Sequence, residues 1–474
     1  MEPEGHVNKK EQTDLDVYSL IITRRGASEL LCLLDGPYST LPSVEIRRWE
    51  RTAEQINAAV YRQLKIEAYC LSTCLPTSPT GASPAICLCA MECVRPETVL
   101  LPKMRWVSAN SLAETSFLHS TTLATIQNVL RMVRPDRRGE NDEYFGTSGS
   151  LREISEWIRA HVGPLNLRLT GQFQQLTVSP HFCLMRFETN GPALWFKAVG
   201  EPNTREFTIS RNLAELFPDF LPQVLAVCPQ WNAWLMTEAV GVAPDASSGF
   251  SAWRAIVDRL AELQTDSVPC LEILLAAGCR NSSAEFLLNL VDEFLAVMEE
   301  LMTRQHGTPP PVLTRHEIIA LANPLKDALS LLAESLVPNA LNHLDLNPGN
   351  IRVSADQCVF LDWAEAAVGP PFLTLEYLLE HFRQCCPTIA HRRAQLTGRY
   401  MNHWRPYVAE NVLSQCLRAS PLAAVFAYAV SNDIWRNNVQ LTNPQTAGYF
   451  RSLTRRISRE ASAFAQRSSQ CLSQ

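Results

Sequence analysis

The apolar positions along this 474-residue chain change period several times, and the changes divide it. Residues 1–16 are a polar tail of mixed charge. From 17 to 130 the runs YSLIIT, ELLCLL and AICLCAMECV read as strands; between them lie the loop GPYSTLPSVEI and the helical segment RTAEQINAAVYRQLKIEAY, and MRWVSANSL precedes a last helix. Residues 131–150, RMVRPDRRGENDEYFGTSGS, are charged and contain Gly and Ser, as expected of a linker. SLREISEWIRAHV then has helical spacing, and 165–200 holds the β-rich runs FCLMRFET and ALWFKAV, joined by the hairpin signal Asn190-Gly191. A helix is expected over 204–217, with short apolar runs over 220–228 and 233–240. The period is helical from about 251 to 335 (SAWRAIVDRLAELQ, AEFLLNLVDEFLAVMEELMTRQ, LANPLKDALSLLAESL) and again over most of 375–465, leaving 466–474 as a tail. A β-rich small lobe followed by a helix-rich large lobe is the expected order.

Composition narrows the partners. Lys and Arg number 42 against 48 Asp and Glu, a net charge of 42 − 48 = −6, and 46% of residues are hydrophobic, which permits large cores and excludes a mainly disordered chain. Without a dense Lys/Arg tract, nucleic acid is not an expected partner, and a small molecule becomes the default. The start lacks the apolar core of a secretory signal and no stretch holds 18 uninterrupted apolar residues, so no membrane association is expected and the chain reads as cytoplasmic. Fifteen cysteines, an odd number without a secretion signal, read as reduced and mostly buried. Cys70, Cys74, Cys87, Cys89 and Cys93 cluster, but paired C-x-x-C knuckles are missing and Cys87 and Cys89 alternate within a strand, so they read as core thiols rather than a zinc site.

Candidate chemistry lies in NALNHLDLNPGNIRVSADQCVFLDWAEAAVGPPFL. His343, Asp345 and Asn350 stand around Pro348-Gly349, a turn that interrupts any helix or strand, and NIRV and CVFLDW form a hairpin that delivers Asp362 at the end of its second strand. Phosphoryl transfer from a nucleotide needs a carboxylate to orient the acceptor hydroxyl, oxygen ligands for Mg²⁺ and a cation near the phosphates. Asp345 suits the first task, and Asn350 and Asp362 are hard ligands suited to the second. Upstream, Lys197 stands in an apolar strand where an unpaired ammonium is costly, and Glu206 follows at the start of a helix. A strand Lys, a helix Glu, a catalytic Asp and two metal ligands in that order are the parts of a kinase-like site. The plainer reading makes Asp345 and Asp362 loop caps and Lys197–Glu206 an inert ion pair.

On these residues the stretch from 150 to 465 resembles the aminoglycoside phosphotransferase and choline kinase-like enzymes, whose signature is similar to H-x-D-x-x-x-x-N followed by a hydrophobic run and I-D-W; here it reads HLDLNPGN and VFLDW. The resemblance implies an α+β, bilobal protein kinase-like domain over 151–465, dependent on ATP and Mg²⁺, that phosphorylates a small-molecule hydroxyl. It implies that Asp345 orients the hydroxyl, that Asn350 and Asp362 bind Mg²⁺, and that Lys197 contacts the α/β-phosphates with Glu206 as its partner. His343 buttresses the loop, and backbone groups around Thr237 and Glu238 meet adenine. Three departures stand out: no G-x-G-x-x-G precedes Lys197, Gly171 being the one glycine of LTGQFQQLTVSPHFCLMRF; Pro370 and Thr374 replace two acids that relatives often carry after the metal Asp; and Trp363-Ala364 follows Asp362, so no D-F-G switch is indicated. An aminoglycoside pocket needs clustered acids, for which Glu365, Glu376 and Glu380 are candidates.

Residues 17–130 resemble a degenerate Nudix domain, an α/β/α sandwich. Aligned on Arg62, the chain keeps Glu54, Arg62, Leu64 and Glu67 of the Nudix helix motif, but has Arg48 and Tyr69 for its glycines and Gln63 and Ile66 for two glutamates. An amide and an isoleucine do not replace metal-binding carboxylates, so hydrolysis is not expected; the plainer alternative is another small α/β domain in which the partial motif is coincidence, and the expected role is binding or docking of a nucleotide or of the kinase-like lobe. The competing reading of the whole chain is a nucleotide-binding regulatory protein, silent in both domains.

Overall fold

Two compact units make up the computed structural model, which describes residues 15–48, 51–73, 87–115, 120–137, 144–305 and 310–472. One comprises the described residues as far as Phe207 together with Val224–Glu238, and the other Thr208–Gln223 with the chain from Ala239 onward.

The first unit is built on two sheets. Strands β1 (Leu15–Arg24), β2 (Glu29–Asp35), β3 (Tyr38–Thr40), β4 (Ser43–Arg47), β5 (Ala68–Thr73), β6 (Cys87–Cys93) and β7 (Met104–Ser108) form a mixed sheet of order β3-β2-β1-β6-β5, with β4 on β1 and β7 on β2. Its centre is the parallel pair β1–β6, where Leu20, Ile21 and Ile22 are all buried, the continuous apolar run of a strand covered on both faces. Helix α1 (Thr52–Leu64) buries Ala53, Ile56, Ala59 and Val60, and α2 (Ser120–Met132) buries Ile126, Val129 and Leu130, the spacing of amphipathic helices. Strands lie where two other elements are expected. The stretch read as the loop GPYSTLPSVEI contains β3 and β4, because Val44 and Ile46 alternate inward and pair with β1. The helix expected to run to Tyr69 stops at Leu64, where Lys65 turns left-handed (φ 58°) and donates its N–H to the Tyr61 carbonyl, and Tyr69 and Cys70 enter β5.

The second sheet is antiparallel, of order β11-β12-β10-β9-β8, from β8 (Leu169–Val178), β9 (Cys183–Thr189), β10 (Leu194–Ala198), β11 (Val224–Cys228) and β12 (Ala233–Thr237). Helix α3 (Ser150–Val162) turns Leu151, Ile154, Ile158 and Val162 inward, and α4 (Arg205–Leu216) follows β10.

The expected linker is largely ordered in the residues described: Arg131 and Met132 close α2, Phe145 to Ser148 are buried and α3 begins at Ser150, while 138–143, like Cys74 and most of the N-terminal tail, lie outside the described residues. One apolar core runs from Leu20 and Ile21 through Phe145 to Phe196. Rings of Phe145, Trp157, Phe196 and Trp231 meet edge to face or tilted at 5.9–6.3 Å between centroids. At the edge strand β5, the buried Gln175 side chain on β8 takes the place of a neighbouring strand: its Oε1 accepts the Cys70 N–H at 2.8 Å and its Nε2 donates to the Cys70 carbonyl at 2.9 Å. Asn57 of α1 adds a bond to the same Oε1 at 3.0 Å, and the Gln174 amide donates to Glu54 at 2.6 Å. Cys70, Cys89 and Cys93 are buried in this sheet, as their alternation suggests, and Cys87 is half-buried.

The second unit is mainly helical: α5 (Phe250–Ser267), α6 (Leu271–Ala276), α7 (Ala284–Thr303), α8 (Arg315–Ile319), α9 (Ala322–Glu334), α10 (Phe372–Cys385), α11 (Arg393–Trp404), α12 (Glu410–Ala429) and α13 (Pro444–Leu472). The stretch expected as a tail from 466 therefore continues α13, with no Gly or Pro to stop it. Among the described residues one helix, α12, is long and apolar enough to cross a membrane by length and composition; here it lies against α9, α10 and α13 with Leu413, Cys416, Leu422 and Phe426 in the core. Between the helices lie β13 (Arg280–Asn281), β14 (Ala340–His343) and β17 (Ala366–Gly369) in one small sheet, and the hairpin β15 (Ile351–Val353) and β16 (Cys358–Phe360). Polar groups buried beneath β14 are paired: the Gln264 amide donates to the Pro371 carbonyl at 2.9 Å, and the Tyr400 hydroxyl donates to Gln264.

Truncating Gln175 strands a buried N–H and a buried carbonyl together. Gln175→Ala is expected to lower unfolding stability by about 2–4 kcal/mol in urea titration, whereas Gln174→Ala, at an exposed position, stays within about 0.5 kcal/mol.

Candidate active site

In the first unit, alternation along β10 turns Phe196 into the aromatic core and Lys197 to the other face. Lys197 is 8% exposed and Glu206, in the first turn of α4, 2%, and the two form a buried ion pair. The ammonium also lies 5.7 Å from the ring centre of Trp234, its cross-strand neighbour on β12. Sequence alone thus brings the right pair together, because β10 and α4 are local neighbours. The strand expected to face adenine ends at Thr237, opposite Leu194. Beyond it the Glu238 N–H is taken up by the Ala193 carbonyl at 2.9 Å, and the Glu238 carboxylate by Arg186 at 2.6 and 2.9 Å. Any contact made by Glu238 to a base would fall to its carbonyl, the N–H being engaged.

The second unit holds the loop. His343 ends β14 and is 1% exposed; burial pushes its pKa below the usual imidazole value. The hydrogen-bond network assigns its tautomer: Nδ1 accepts the Asp345 N–H at 3.3 Å, and Nε2–H donates to the Leu361 carbonyl at 2.8 Å. The Leu361 N–H in turn donates to the Asn350 carbonyl at 2.8 Å. One ring therefore connects the residues around Asp345, Asn350 and Asp362. Asp345 is held at both oxygens: Oδ1 accepts from Asn347 Nδ2 at 3.1 Å and the Tyr377 hydroxyl at 3.0 Å, and Oδ2 accepts from Asn350 Nδ2 at 3.2 Å. A carboxylate has about four lone-pair sites, so room for an acceptor hydroxyl remains. The Asn350 Nδ2 also donates to the Asp345 carbonyl at 2.9 Å, which leaves Oδ1 as its ligating atom.

Asp362 follows β16 with φ 62° and ψ 72°, a left-handed conformation that a non-glycine residue adopts only when its surroundings enforce it. Here the flanking Leu361 is bonded at both its N–H and its carbonyl. Asn350 Oδ1 and the Asp362 carboxylate fit a hard cation that keeps several waters and takes further ligands from phosphates, the pattern of Mg²⁺. Among the described residues no cluster of three or more His, Cys, Asp or Glu could hold a metal by itself.

Thr374, which replaces an acid of the resembled pattern, is buried and structural. Its Oγ1 accepts the His343 N–H at 3.0 Å and donates to Asn342 Oδ1 at 2.8 Å, while Asn342 Nδ2 donates to the Gly369 carbonyl at 3.0 Å. Tyr377 and Asn347 were not among the expected site residues. Asn347 carried a readable signal, an Asn before Pro-Gly, and it caps the short turn by accepting the Gly349 N–H at 2.8 Å. Tyr377 carried none, since it reaches Asp345 from a helix 32 positions later.

A cavity of about 180 Å³ adjoins the loop, lined by Leu344, Glu376, Tyr377, Arg393, Tyr428 and Arg456 among others. Tyr377 and Tyr428 stack with centroids 5.5 Å apart, and burial next to Asp345 pushes the Tyr377 hydroxyl pKa up. The three acids named as candidates for a cationic pocket are all paired: Glu365 with Arg280, Glu376 with Arg393, and Glu380 with Arg383 at 2.7 Å. Arg383 and Gln384 hold the Glu380 carboxyl down to about 2, whereas burial pushes Glu376 up against the pull of Arg393. On α1 and beyond it, Glu54 is bonded to Gln174 and Glu67 to Arg95 at 3.2 Å.

Residues 291–407 match the model of the Phosphotransferase enzyme family (APH), a span that contains His343, Asp345, Asn350 and Asp362 and stops short of Lys197. No curated protein matches the chain. Among solved structures, the chain is similar to an ethanolamine kinase from Plasmodium vivax at 13% identity, covering 74% of this chain and 96% of that one with a TM-score of 0.46. It is also similar to a choline kinase from Streptococcus pneumoniae (13% identity, 66% and 99% covered, TM-score 0.41). A spectinomycin phosphotransferase in complex with ADP and spectinomycin gives 14% identity, 66% and 98% covered, and a TM-score of 0.40.

Two outcomes are expected. Lys197→Met or Glu206→Leu alone leaves a buried charge uncompensated and lowers unfolding stability by about 3–5 kcal/mol, while the double variant loses less than either single one. For His343, a folded pKa below the unfolded value of about 6.5 means that the unfolded chain binds the proton more readily. Stability should therefore be full above that pH and fall as pH drops through it, until the folded ring also titrates. Denaturation midpoints measured from pH 7.5 to 5 should show that loss in the wild type and a smaller one in His343→Gln.

Proposed function

We propose that the chain is an ATP- and Mg²⁺-dependent phosphotransferase acting on a hydroxyl of a small molecule. The observation that carries the reading is the Asp345 loop, in which three donors fix one carboxylate and the His343 ring links it through Leu361 to Asn350 and the residue before Asp362, whose side chains carry hard oxygens. Asp345 accepts a hydrogen bond from the acceptor hydroxyl, aims an oxygen lone pair along the line of attack and takes up the proton as the new oxygen–phosphorus bond forms and the bond from the γ-phosphorus to the β–γ bridging oxygen breaks, releasing ADP. Tyr377 and Asn347 keep that carboxylate from turning, and His343 keeps the loop from moving relative to the Asp362 strand. Lys197, held extended by Glu206, binds phosphate oxygens of the nucleotide. Asn350 and Asp362 would hold Mg²⁺, which when bound offsets charge on the β- and γ-phosphates.

The acceptor is proposed not to be polycationic. Glu365, Glu376 and Glu380, the acids that would have to receive several ammonium groups, are each neutralised by an arginine, so the pairing favours an alcohol of low positive charge. The N-terminal region, proposed to be Nudix-derived, is read as a non-hydrolytic part of the small lobe.

Asp345→Asn is expected to lower MgATP-dependent phosphorylation of any accepted alcohol by about 10²–10⁴-fold while the thermal shift given by MgATP persists, because binding and proton removal use different residues. Equal turnover in wild type and variant would sink the proposal.

A further inference from the structure

The chain lacks a glycine-rich segment before Lys197, and what stands in its place is a closed turn. Ser179, Pro180, His181 and Phe182 join β8 to β9: the Ser179 N–H donates to the Phe182 carbonyl at 2.8 Å, and the Phe182 N–H donates to Ser179 Oγ at 3.1 Å. Register places Cys183 opposite Ala198, the residue after Lys197. The turn then continues over Gly200, where an added Cβ would fall 2.3 Å from that of His181. On the proposed kinase reading, the turn thus sits at the phosphate-binding end of the lysine strand.

Its outer side is held by the segment just before α3, in the stretch that reads as a linker. The Phe145 N–H donates to the Pro180 carbonyl at 3.2 Å, and Gly146 lies beneath the Pro180 ring, an added Cβ meeting the Pro180 Cα at 3.2 Å. That segment is itself tied to the N-terminal region: the Ser148 N–H donates to the carbonyl of Val133, just past α2, at 2.8 Å and the Gly149 N–H to Glu92 of β6 at 2.6 Å. Ser150 Oγ donates to the Phe145 carbonyl at 3.2 Å, and the Phe145 ring, 3% exposed, is packed against Phe196 and Trp231.

We propose that residues 145–146 are positioning residues for the nucleotide: the N-terminal region, acting through them, presets the β8–β9 turn, so that phosphate is met by a fixed turn rather than by a mobile glycine-rich flap. A flap gains affinity by closing, and pays for it in ordering entropy; a turn already held by its neighbours loses little on binding. The cost is that affinity depends on a glycine outside the nucleotide site. This inference rests on the kinase reading, and the experiment separates the two.

The test compares Gly146→Val, which crowds Pro180, with Ile126→Val, which thins the N-terminal core at a buried position far along the chain from the turn. The readouts are hydrogen exchange of amides 176–186 and MgADP affinity by calorimetry, with melting temperature as the control for general destabilisation. The expected result is faster exchange in the turn and about tenfold weaker MgADP binding in Gly146→Val only, with Ile126→Val within twofold of wild type. Unchanged exchange in Gly146→Val overturns the clamp. Faster exchange with unchanged MgADP affinity, or equal weakening in both variants, overturns the positioning role. A wild type that binds no MgADP is seen before any variant is made; it removes the kinase reading and the positioning role with it, while the exchange data still report on the clamp.

Discussion

Burial of the His343 ring decides how the rest of the candidate site is arranged. In water an imidazole is free to take a proton near neutral pH; enclosed under Trp363 at 4.6 Å between ring centres, it is held neutral, with one nitrogen that accepts and one that donates. Those two opposite capacities are what allow it to hold the Asp345 amide and the Leu361 carbonyl at once. A protonated ring would offer two donors and no acceptor, and the link to Asp345 would fail. Asn342 and Thr374 continue the same logic one layer deeper: the Thr374 hydroxyl accepts the His343 N–H and donates to Asn342 Oδ1, and the Asn342 amide donates to the Gly369 carbonyl.

Where a functional contact was short in sequence, the residues announced it. HLDLNPGN places Asp345, Asn347 and Asn350 within six positions, VFLDW brings Asp362 two residues past the end of a strand, and Lys197 and Glu206 stand on adjacent elements. The span of α3 was legible for the same reason: its apolar stripe and its bounding glycines at 149 and 163 are local. Contacts that close over long separations left no such mark. Tyr377 is an ordinary position on an amphipathic helix until α10 is docked, and Gln174-Gln175 reads as polar filling in a strand until β8 meets α1 and β5.

The described ends of the expected linker are packed, whatever their composition suggests. RMVRPDRRGENDEYFGTSGS has the charges and small residues of a spacer, yet Gly146 lies where Pro180 approaches closely, and Phe145 is a core residue. The same composition serves flexibility in one context and close approach in another; only the neighbouring surface distinguishes them.

Gln175 adds a requirement in time. The edge of β5 that it satisfies is synthesised 105 residues earlier, so the Cys70 N–H and carbonyl have to wait for their partner. At the usual pace of synthesis that interval is on the order of 5–20 s, during which a strand edge of an otherwise foldable sheet has unpaired backbone groups. Until β8 is in place, the Cys70 N–H and carbonyl have only water for partners.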